Sequence, residues 1–343
     1  MKIVVLAGGI STERDVSLSS GCQIYKALKT KGHAVILLDI FMGFEGDTSS
    51  VFESDRDWAA EIAPVRETAP DIEKLKASRK GSSKALFGPN VLELCSQADI
   101  VFMALHGDSG ENGKVQAAFD LFGIRYTGTD ALSSALAMDK SISKQLFIAG
   151  GINTAKSVLF TNKNDVKPFK LPCVVKVCNG GSSVGVYIAR TEEEYKDAIE
   201  NAFKFENKVL VEEFLKGREF TDGVIEGVAL PIVQIEPKEG FYDYKNKYQA
   251  GSTIETCPAK ISKQLEEKIK AQAVKVFNTL GIKTYARIDF IVDDNDNVFC
   301  LEANTLPGMT PTSLVPQEAA AIGKSFVDLC EWIIEVSLKK YKA

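Results

Sequence analysis

The sequence predicts an N-terminal doubly wound α/β domain with a parallel sheet, followed by a longer section of mixed α+β structure. Three short apolar runs in the first part have the length and composition of buried strands: KIVVLA at 2–7, HAVILLDI at 33–40 and ADIVFMALHG at 98–107. A helical pattern separates the first two runs, and strands that alternate with helices along the chain form parallel sheets. Later in the chain, pairs of apolar runs joined by short turns indicate antiparallel strands.

The elements of the first part follow from their local patterns. The first helix is predicted to span about 14–30 and to end at Gly32, because glycine favours the left-handed backbone that closes a helix. Residues 41–95 are polar and weakly periodic, and RKGSSK and GPN within them are loop signals. We therefore expect this segment to be an insertion on the surface.

The elements of the second part are assigned in the same way. A helix is predicted to open at Asp130 and to continue through DALSSALAMDKSISKQLFIAG. LPCVVKV and KVLVEEFL are predicted strands, TDGVIEGVALPIVQI is a hairpin, and EEKIKAQAVKVFNTLG is an amphipathic helix. QEAAAIGKSFVDLCEWIIEVSLKK is expected to close the chain as helix.

Composition limits the class of protein. The 343 residues are 45% hydrophobic and 25% charged, as in an ordinary globular protein of two or three domains. The net charge of -5 argues against nucleic acid or an anionic membrane as the main partner. No run approaches the roughly 20 apolar residues of a membrane span, and MKIVVLAGG is too short for a signal peptide, so we expect a cytoplasmic protein. The seven cysteines form no C-x-x-C pair, so neither zinc nor disulfides are expected.

The stretch RIDFIVDDNDNVFCLEAN, residues 287–304, carries carboxylates inside two β-rich runs. DDNDN is turn chemistry, so the stretch predicts a hairpin in which Asp289 lies opposite Glu302 and Asn304 shares their face. Buried carboxylates need a partner, and three oxygen-bearing side chains suit Mg2+ together with substrate phosphates. The alternatives are a sheet face open to water and pairing of Asp289 with Arg287. The stretch therefore favours nucleotide chemistry.

Two lysines and a glycine-rich turn could bind phosphate. NGGSSVG follows the strand LPCVVKV, whose Lys176 must reach solvent or meet an anion because its neighbours are apolar. The turn is not a Walker A motif, since no GK[ST] follows, and alone it is weak support. Lys140 in AMDKSISK could equally be an exposed helix lysine.

Two residues near the first sheet are further candidates. Glu13 lies in the first turn of a helix after LAGG, where a carboxylate can also serve only to stabilise the helix dipole. His106 follows a buried strand, at the carboxyl edge where doubly wound sheets bind ligands.

Taken together, these motifs resemble one known family. LAGGISTERDVSLSSG, ALHGDSGENG, AMDKSISK, VVKVCNGGSSVG, EEFLKGREFT, YDYKNKYQAG and ARIDFIVDDNDNVFCLEANTLPGMTPTSLVP are similar in order and content to those of the D-alanine:D-alanine ligases of the ATP-grasp superfamily. The resemblance covers nearly the whole chain except 41–95. It implies an ATP-grasp fold with an N-terminal α/β domain at 1–128, a central domain at 129–214 and a C-terminal domain at 215–343.

The resemblance also implies a nucleotide site. Lys140, Lys176 and Lys247 would contact the phosphates of ATP, together with the loop residues Ser182 and Ser183. The adenine would lie along the strand VEEFL at 211–215, and the ribose would contact Glu219. The residues implied there are Glu212, Glu213, Phe214, Leu215 and Glu219.

The implied reaction joins two D-alanines through an acyl phosphate, for peptidoglycan precursors, in a homodimeric enzyme. Two Mg2+ ions, with Mn2+ as the alternative, would be held by Asp289, Glu302 and Asn304. The first D-alanine would meet Glu13 and His106, and the second would meet Ser313 and Leu314. Arg287 and the Gly308 N–H would stabilise the oxyanion, and Ser182 would link Glu13 to Tyr248, whose hydroxyl would help to close a lid.

Two alternatives stay open. The same scaffold could join D-alanine to D-serine or D-lactate, although an apolar Leu314 suits a methyl side chain better than the residues that such ligases tend to carry there. A nucleotide-binding regulator without turnover is the other alternative. Such a protein would not need Arg287, Asp289, Glu302 and Asn304 together.

Overall fold

The structure is a computed structural model of the chain. It describes residues 1–60, 62, 70–79, 85–181, 184–238 and 252–342.

The first sheet is parallel, as predicted. Its strands are β1 (Lys2–Ala7), β2 (Ala34–Asp39) and β3 (Ile100–Met103), in the order β2-β1-β3. Helix α1 (Arg14–Thr30) packs across β1 and β2, and its buried side chains recur on one face. The helix ends where predicted, and Gly32 has φ +77°, the left-handed conformation that glycine adopts without strain.

The segment 41–95 is not confined to the surface, and in this respect the prediction was wrong. Phe41, Val51 and Val91 in its described part are buried. Their apolar positions are too widely spaced to produce a periodic pattern, so the sequence did not reveal them. The helical elements in this segment and just after it are a 3₁₀ helix (Val51–Glu53), α2 (Ile72–Ser78), α3 (Val91–Gln97), α4 (Asp108–Glu111) and α5 (Lys114–Phe122).

The helix predicted from Asp130 is two helices, α6 (Ala131–Met138) and α7 (Lys140–Ala149). Asp139 separates them with an extended ψ of 100°. Its carboxylate accepts hydrogen bonds from the N–H groups of Ser141 and Ile142, as an N-cap residue does. A helix pattern alone does not distinguish an interior aspartate from a cap, so the prediction of one helix was wrong.

The second sheet is antiparallel and lies in the middle of the chain. Helix α8 (Glu192–Phe205) covers it and begins with a capping box of Thr191 and Glu194. The strand order is β4-β7-β5-β6. These strands are β4 (Ser157–Phe160), β5 (Cys173–Val177), β6 (Val186–Ala189) and β7 (Val209–Glu213).

The third sheet is also antiparallel, in the order β11-β10-β8-β12-β13, with β9 paired to β8. Helix α9 (Lys263–Thr279) packs its apolar face, including Ile269 and Val276, on this sheet. The strands are β8 (Arg218–Ile225), β9 (Val228–Ala229), β10 (Val233–Pro237), β11 (Thr253–Thr256), β12 (Tyr285–Val292) and β13 (Val298–Asn304).

The closing helix is divided into α10 (Leu314–Ala321) and α11 (Phe326–Lys339). Gly323 has φ +78° and Ser325 caps α11 by accepting from the N–H of Asp328, so two terminators fall inside the predicted element. Helix α11 packs against α1 and thereby returns the chain to the first sheet. Across the described ranges, no helix combines the length and the hydrophobicity that a membrane span requires.

Candidate active site

The predicted hairpin forms between β12 and β13. Asp289 is paired directly with Glu302, and Arg287 is paired with Asn304, which puts all four side chains on one face of the sheet. Asp296 in the turn has φ 56°, a conformation that Asp and Asn tolerate better than most residues. The expected opposition of the two carboxylates is therefore confirmed.

Each carboxylate of the hairpin meets a cation of the chain. The Arg287 guanidinium donates from Nε to Asp289 Oδ1 at 2.9 Å and from Nη2 to Oδ2 at 2.8 Å. This is the pairing considered from the sequence as an alternative. Lys140 Nζ lies 3.0 Å from Glu302 Oε2. Burial lowers the pKa of Lys140, but Glu302 outweighs that effect, so the pKa stands above its ordinary value and the ammonium stays charged.

Two adjoining cavities lined by described residues contain the whole predicted set, apart from residues outside the described ranges. The larger has a volume of about 430 Å³ and the smaller about 200 Å³. Both are lined by Lys140, Gly180, Gly181 and Glu302. The larger also contains Glu13, His106, Arg287, Asn304, Gly308, Ser313 and Leu314. The smaller also contains Lys176, Glu212, Glu213, Phe214, Leu215, Glu219 and Asp289.

The smaller cavity has a buried ionic triad in its wall. Glu212 on β7 lies 2.8 Å from Lys176 Nζ on β5 and 3.0 Å from Lys144 Nζ on α7. Burial raises the pKa of Glu212, but the two ammonium groups outweigh it and hold the pKa below its ordinary value. Burial lowers the pKa of Lys144, and the Lys176 charge adds to that. The triad thus carries one net positive charge beside the cavity, which suits an anionic ligand.

The larger cavity has an acidic end at the first sheet. A Cβ on Gly107 or Gly181 would come within 2.9 or 2.5 Å of Glu13 Oε2, so both backbones lie against this carboxylate. Gly107 follows β3 and Gly181 follows β5. The loops that follow β3 and β5 therefore meet at Glu13.

His106 fixes the loop that contains Gly308. Its Nδ1–H donates to the Leu306 carbonyl at 3.0 Å, and its Nε2 lies 3.1 Å from the Ser20 hydroxyl. Burial lowers the pKa of His106, and Arg287 acts in the same direction against the opposite effect of Glu13, so the ring is neutral at pH 7. Both ring nitrogens are engaged within the chain, which makes His106 a link between α1 and the loop after β13.

Sequence reasoning missed two charged residues of the site, Glu111 and Lys144. Glu111 lines the larger cavity and accepts from the Gly107 N–H at 2.9 Å. Burial raises the pKa of Glu111 to about 8, and the Glu13 carboxylate adds to the effect. Both could have been found from the sequence. Glu111 lies in HGDSGENG, from which only His106 was taken. Lys144 lies in AMDKSISK, from which only Lys140 was taken, although the four-residue spacing places both lysines on one helix face.

Four predicted residues lie outside the described ranges. These are Ser182, Ser183, Lys247 and Tyr248. Their roles stay predictions, as do those of the residues that line the cavities.

Comparison with known proteins decides the family. A family model described as D-ala D-ala ligase C-terminus matches residues 147–335, and one described as D-ala D-ala ligase N-terminus matches residues 2–129. The chain belongs to the D-alanine–D-alanine ligase family. Among its relatives, the D-alanine–D-alanine ligases of Pediococcus pentosaceus and Lacticaseibacillus casei are 44% and 45% identical to it. The matches cover 99% of this chain and 99% and 97% of those proteins.

Solved structures of a D-alanine–D-alanine ligase and a D-Ala:D-Ser ligase share the fold. The crystal structure of the enzyme from Bacillus anthracis has a TM-score of 0.76 at 31% identity, and covers 100% of this chain and 99% of that one. The VanG D-Ala:D-Ser ligase from Enterococcus faecalis has a TM-score of 0.73 at 29% identity, over 98% of this chain and 99% of that one. The family, the ATP-grasp fold and the enzyme class expected from the sequence are confirmed.

Proposed function

We propose that the enzyme joins two D-alanine molecules and converts ATP to ADP and phosphate through an acyl phosphate, for peptidoglycan precursors. One observation carries the proposal: the two cavities meet at Lys140 and Glu302. A nucleotide in the smaller cavity would present its terminal phosphate there to an amino acid in the larger one. In support, a Bacillus anthracis relative has been solved complexed with ATP, with a TM-score of 0.73 at 28% identity, over 100% of this chain and 99% of that one.

The first step activates the donor. Glu13 would receive the ammonium of the first D-alanine, whose carboxylate oxygen attacks the γ-phosphorus. The bond from that phosphorus to the β,γ-bridging oxygen breaks, and ADP leaves with the electron pair. Lys140 and Lys176 would offset the charge of the phosphates, since phosphoryl transfer depends mainly on positioning and charge stabilisation.

The second step forms the peptide bond. The amine of the second D-alanine, after losing a proton, attacks the carbonyl carbon of the acyl phosphate. Arg287 and the Gly308 N–H would stabilise the oxyanion that develops there. The C–O bond to phosphate then breaks, and inorganic phosphate and one proton are released with the dipeptide.

The hairpin residues fit Mg2+. Asp289, Glu302 and Asn304 offer only oxygen ligands, and the Asn304 side-chain oxygen already accepts from the Leu306 N–H at 3.0 Å. Among the residues that the structure describes, no group of three or more His, Cys, Asp and Glu side chains could hold a metal ion. Two carboxylates match an ion that is bound largely through substrate phosphates. Bound Mg2+ would neutralise phosphate charge, and Mn2+ could take its place.

The acceptor end favours D-alanine over D-serine. Leu314 is buried against Val233 and Ile235, so its surroundings are apolar and offer a methyl group a better fit than a hydroxyl group. The resemblance of the fold to a D-Ala:D-Ser ligase keeps D-serine as the competing acceptor.

Organisation and location complete the proposal. Each of the three sheets of the described residues lies within one of the domains proposed at 1–128, 129–214 and 215–343, which supports that division for the strands. The helices cross these bounds, because α6 and α7 pack with the third sheet and α11 packs with the first. We propose that the enzyme is a cytoplasmic homodimer that needs neither nucleic acid nor a membrane, as expected from its charge and its family.

The test is product identification by mass after incubation with ATP, Mg2+ and equimolar D-alanine, D-serine and D-lactate. D-alanyl-D-alanine should predominate, and ADP release should require D-alanine. Predominant D-alanyl-D-serine or D-alanyl-D-lactate would contradict the proposed acceptor. Nucleotide binding without ADP release would favour a regulator.

A further inference from the structure

The acceptor end of the larger cavity has a carboxylate in its wall. Glu255 on β11 is paired with Ile235 on β10, so the two side chains lie on one face of the sheet. Ile235 packs against Leu314, and Glu255 itself lines the larger cavity together with Ser313 and Leu314. The apolar and acidic walls of the acceptor end are therefore neighbours.

A residue of α10 fixes the position of this carboxylate. Gln317 Nε2 donates to Glu255 Oε2 at 2.5 Å and to the Thr312 carbonyl at 2.9 Å. Gln317 lies one helical turn beyond Ser313, since its backbone N–H donates to the Ser313 carbonyl at 3.1 Å. The amide thus ties the Glu255 side chain to the segment that forms the acceptor end.

The other carboxylates of the cavity have different surroundings. Glu13 and Glu111 lie beside Gly107 in the loop after β3, and Glu302 pairs with Lys140. Among the described residues that line the cavity, Glu255 is the acidic side chain on the acceptor side. Its charge is placed to act on the second substrate rather than on the first.

We propose that Glu255, held by Gln317, selects acceptors that carry an ammonium group and disfavours hydroxy acids. The inference rests on the proposed function. Free D-alanine is a zwitterion whose ammonium a nearby carboxylate attracts, whereas D-lactate carries only a negative charge and is repelled. Recognition precedes the loss of the proton that makes the amine nucleophilic. The effect therefore falls on acceptor binding, and Glu255 is a specificity-determining residue.

The test compares Glu255→Gln with the parent enzyme, because the amide keeps size and hydrogen bonding while it removes the charge. The KM for the second D-alanine should rise about tenfold, equivalent to about 1.4 kcal/mol, and kcat should change by less than about twofold. In competition between D-alanine and D-lactate at pH 7, the share of D-alanyl-D-lactate should rise by a similar factor.

Glu236→Gln is the matched control. Glu236 is exposed on β10, and its strand partner is Ile254 rather than Glu255, so it lies on the other face of the same sheet. The control removes an equal charge without touching the cavity and should keep the parent's KM and product ratio. Gln317→Leu keeps the Glu255 charge but removes its anchor, and should raise the KM by a smaller factor.

The outcomes separate the inference from the proposed function. If the parent makes D-alanyl-D-alanine and Glu255→Gln keeps the parent's KM and product ratio, the inference is wrong and the proposed function stands. A parent without any ligase product would overturn the proposed function. If Glu255→Gln does not fold, Gln317→Leu decides: a higher KM and more D-alanyl-D-lactate support the inference, and parental values overturn it.

Discussion

Replacement of Glu212 by glutamine should destabilise the enzyme strongly. Glu212 is 3% exposed, and its two partners, Lys144 and Lys176, are 5% and 7% exposed. The amide keeps the volume of the side chain but leaves two buried ammonium groups without a counter-charge. A buried charge that loses its partner is costly, because the solvation lost on folding is no longer offset.

The size of the effect follows from this burial. Removing one partner of a buried ion pair costs about 3–5 kcal/mol. One kcal/mol shifts the Tm of a domain of about 150–250 residues by roughly 2–4 °C, so Glu212→Gln should lower the Tm of its unfolding transition by roughly 6–20 °C. Burial lowers the pKa of Lys144, so the cost should shrink as the pH rises toward that at which the Lys144 ammonium loses its proton.

In acid the difference between parent and variant should shrink for another reason, the protonation of Glu212 in the parent. The pKa of Glu212 is depressed in the folded protein, so its contribution to stability is complete above the unfolded pKa and is lost as the pH falls through the folded pKa. The difference between parent and variant should therefore be largest near neutrality and should shrink in acid. A gap that is constant with pH would show that the charge of Glu212 is not its cause.

Scanning calorimetry without nucleotide measures the effect, because a bound ligand would add stability of its own. Glu200→Gln is the control, since Glu200 pairs with Lys163 at 3.5 Å and their side chains are 59% and 54% exposed. An exposed pair contributes about 0–1 kcal/mol, so this variant should unfold close to the parent. Equal Tm values for the two variants would refute the reasoning.

Three further predictions concern the hairpin and α10. Glu302→Gln should lower turnover by orders of magnitude while ATP affinity changes less, and near-normal turnover at saturating Mg2+ would contradict the metal role. Arg287→Lys keeps the charge but loses the planar fork, so the activation free energy should rise by on the order of 3 kcal/mol. Steady-state assays should therefore show kcat lower by roughly 100-fold, and an unchanged kcat would make the arginine structural. Gly223→Ala would place a Cβ 2.2 Å from Glu318 Oε2, so it should lower the Tm, and Glu318→Ala in the same chain should restore part of the loss. A double variant that unfolds no higher than Gly223→Ala would contradict the clash.

Local patterns predicted most of the fold but not the ends of several helices. The first helix and the hairpin at 287–304 agree with expectation, since periodicity and turn residues act over a few positions. The breaks at Asp139 and Gly323 were missed for a common reason. At Asp139 the side chain accepts hydrogen bonds from backbone N–H groups, and at Gly323 the backbone is left-handed. Whether such a residue ends a helix or lies within one is decided by the folded structure around it.

The sequence by itself determined the order of the elements, the family and the residue types of the site, because each depends on short motifs whose spacing is read along one strand or helix. The tertiary structure alone decided how their charges are matched. Glu212 meets lysines from two other elements, and Glu255 meets Gln317 from 62 residues away. Such pairs form only when distant segments pack, and the low polarity of a packed interior makes the choice of partner decisive for each buried charge.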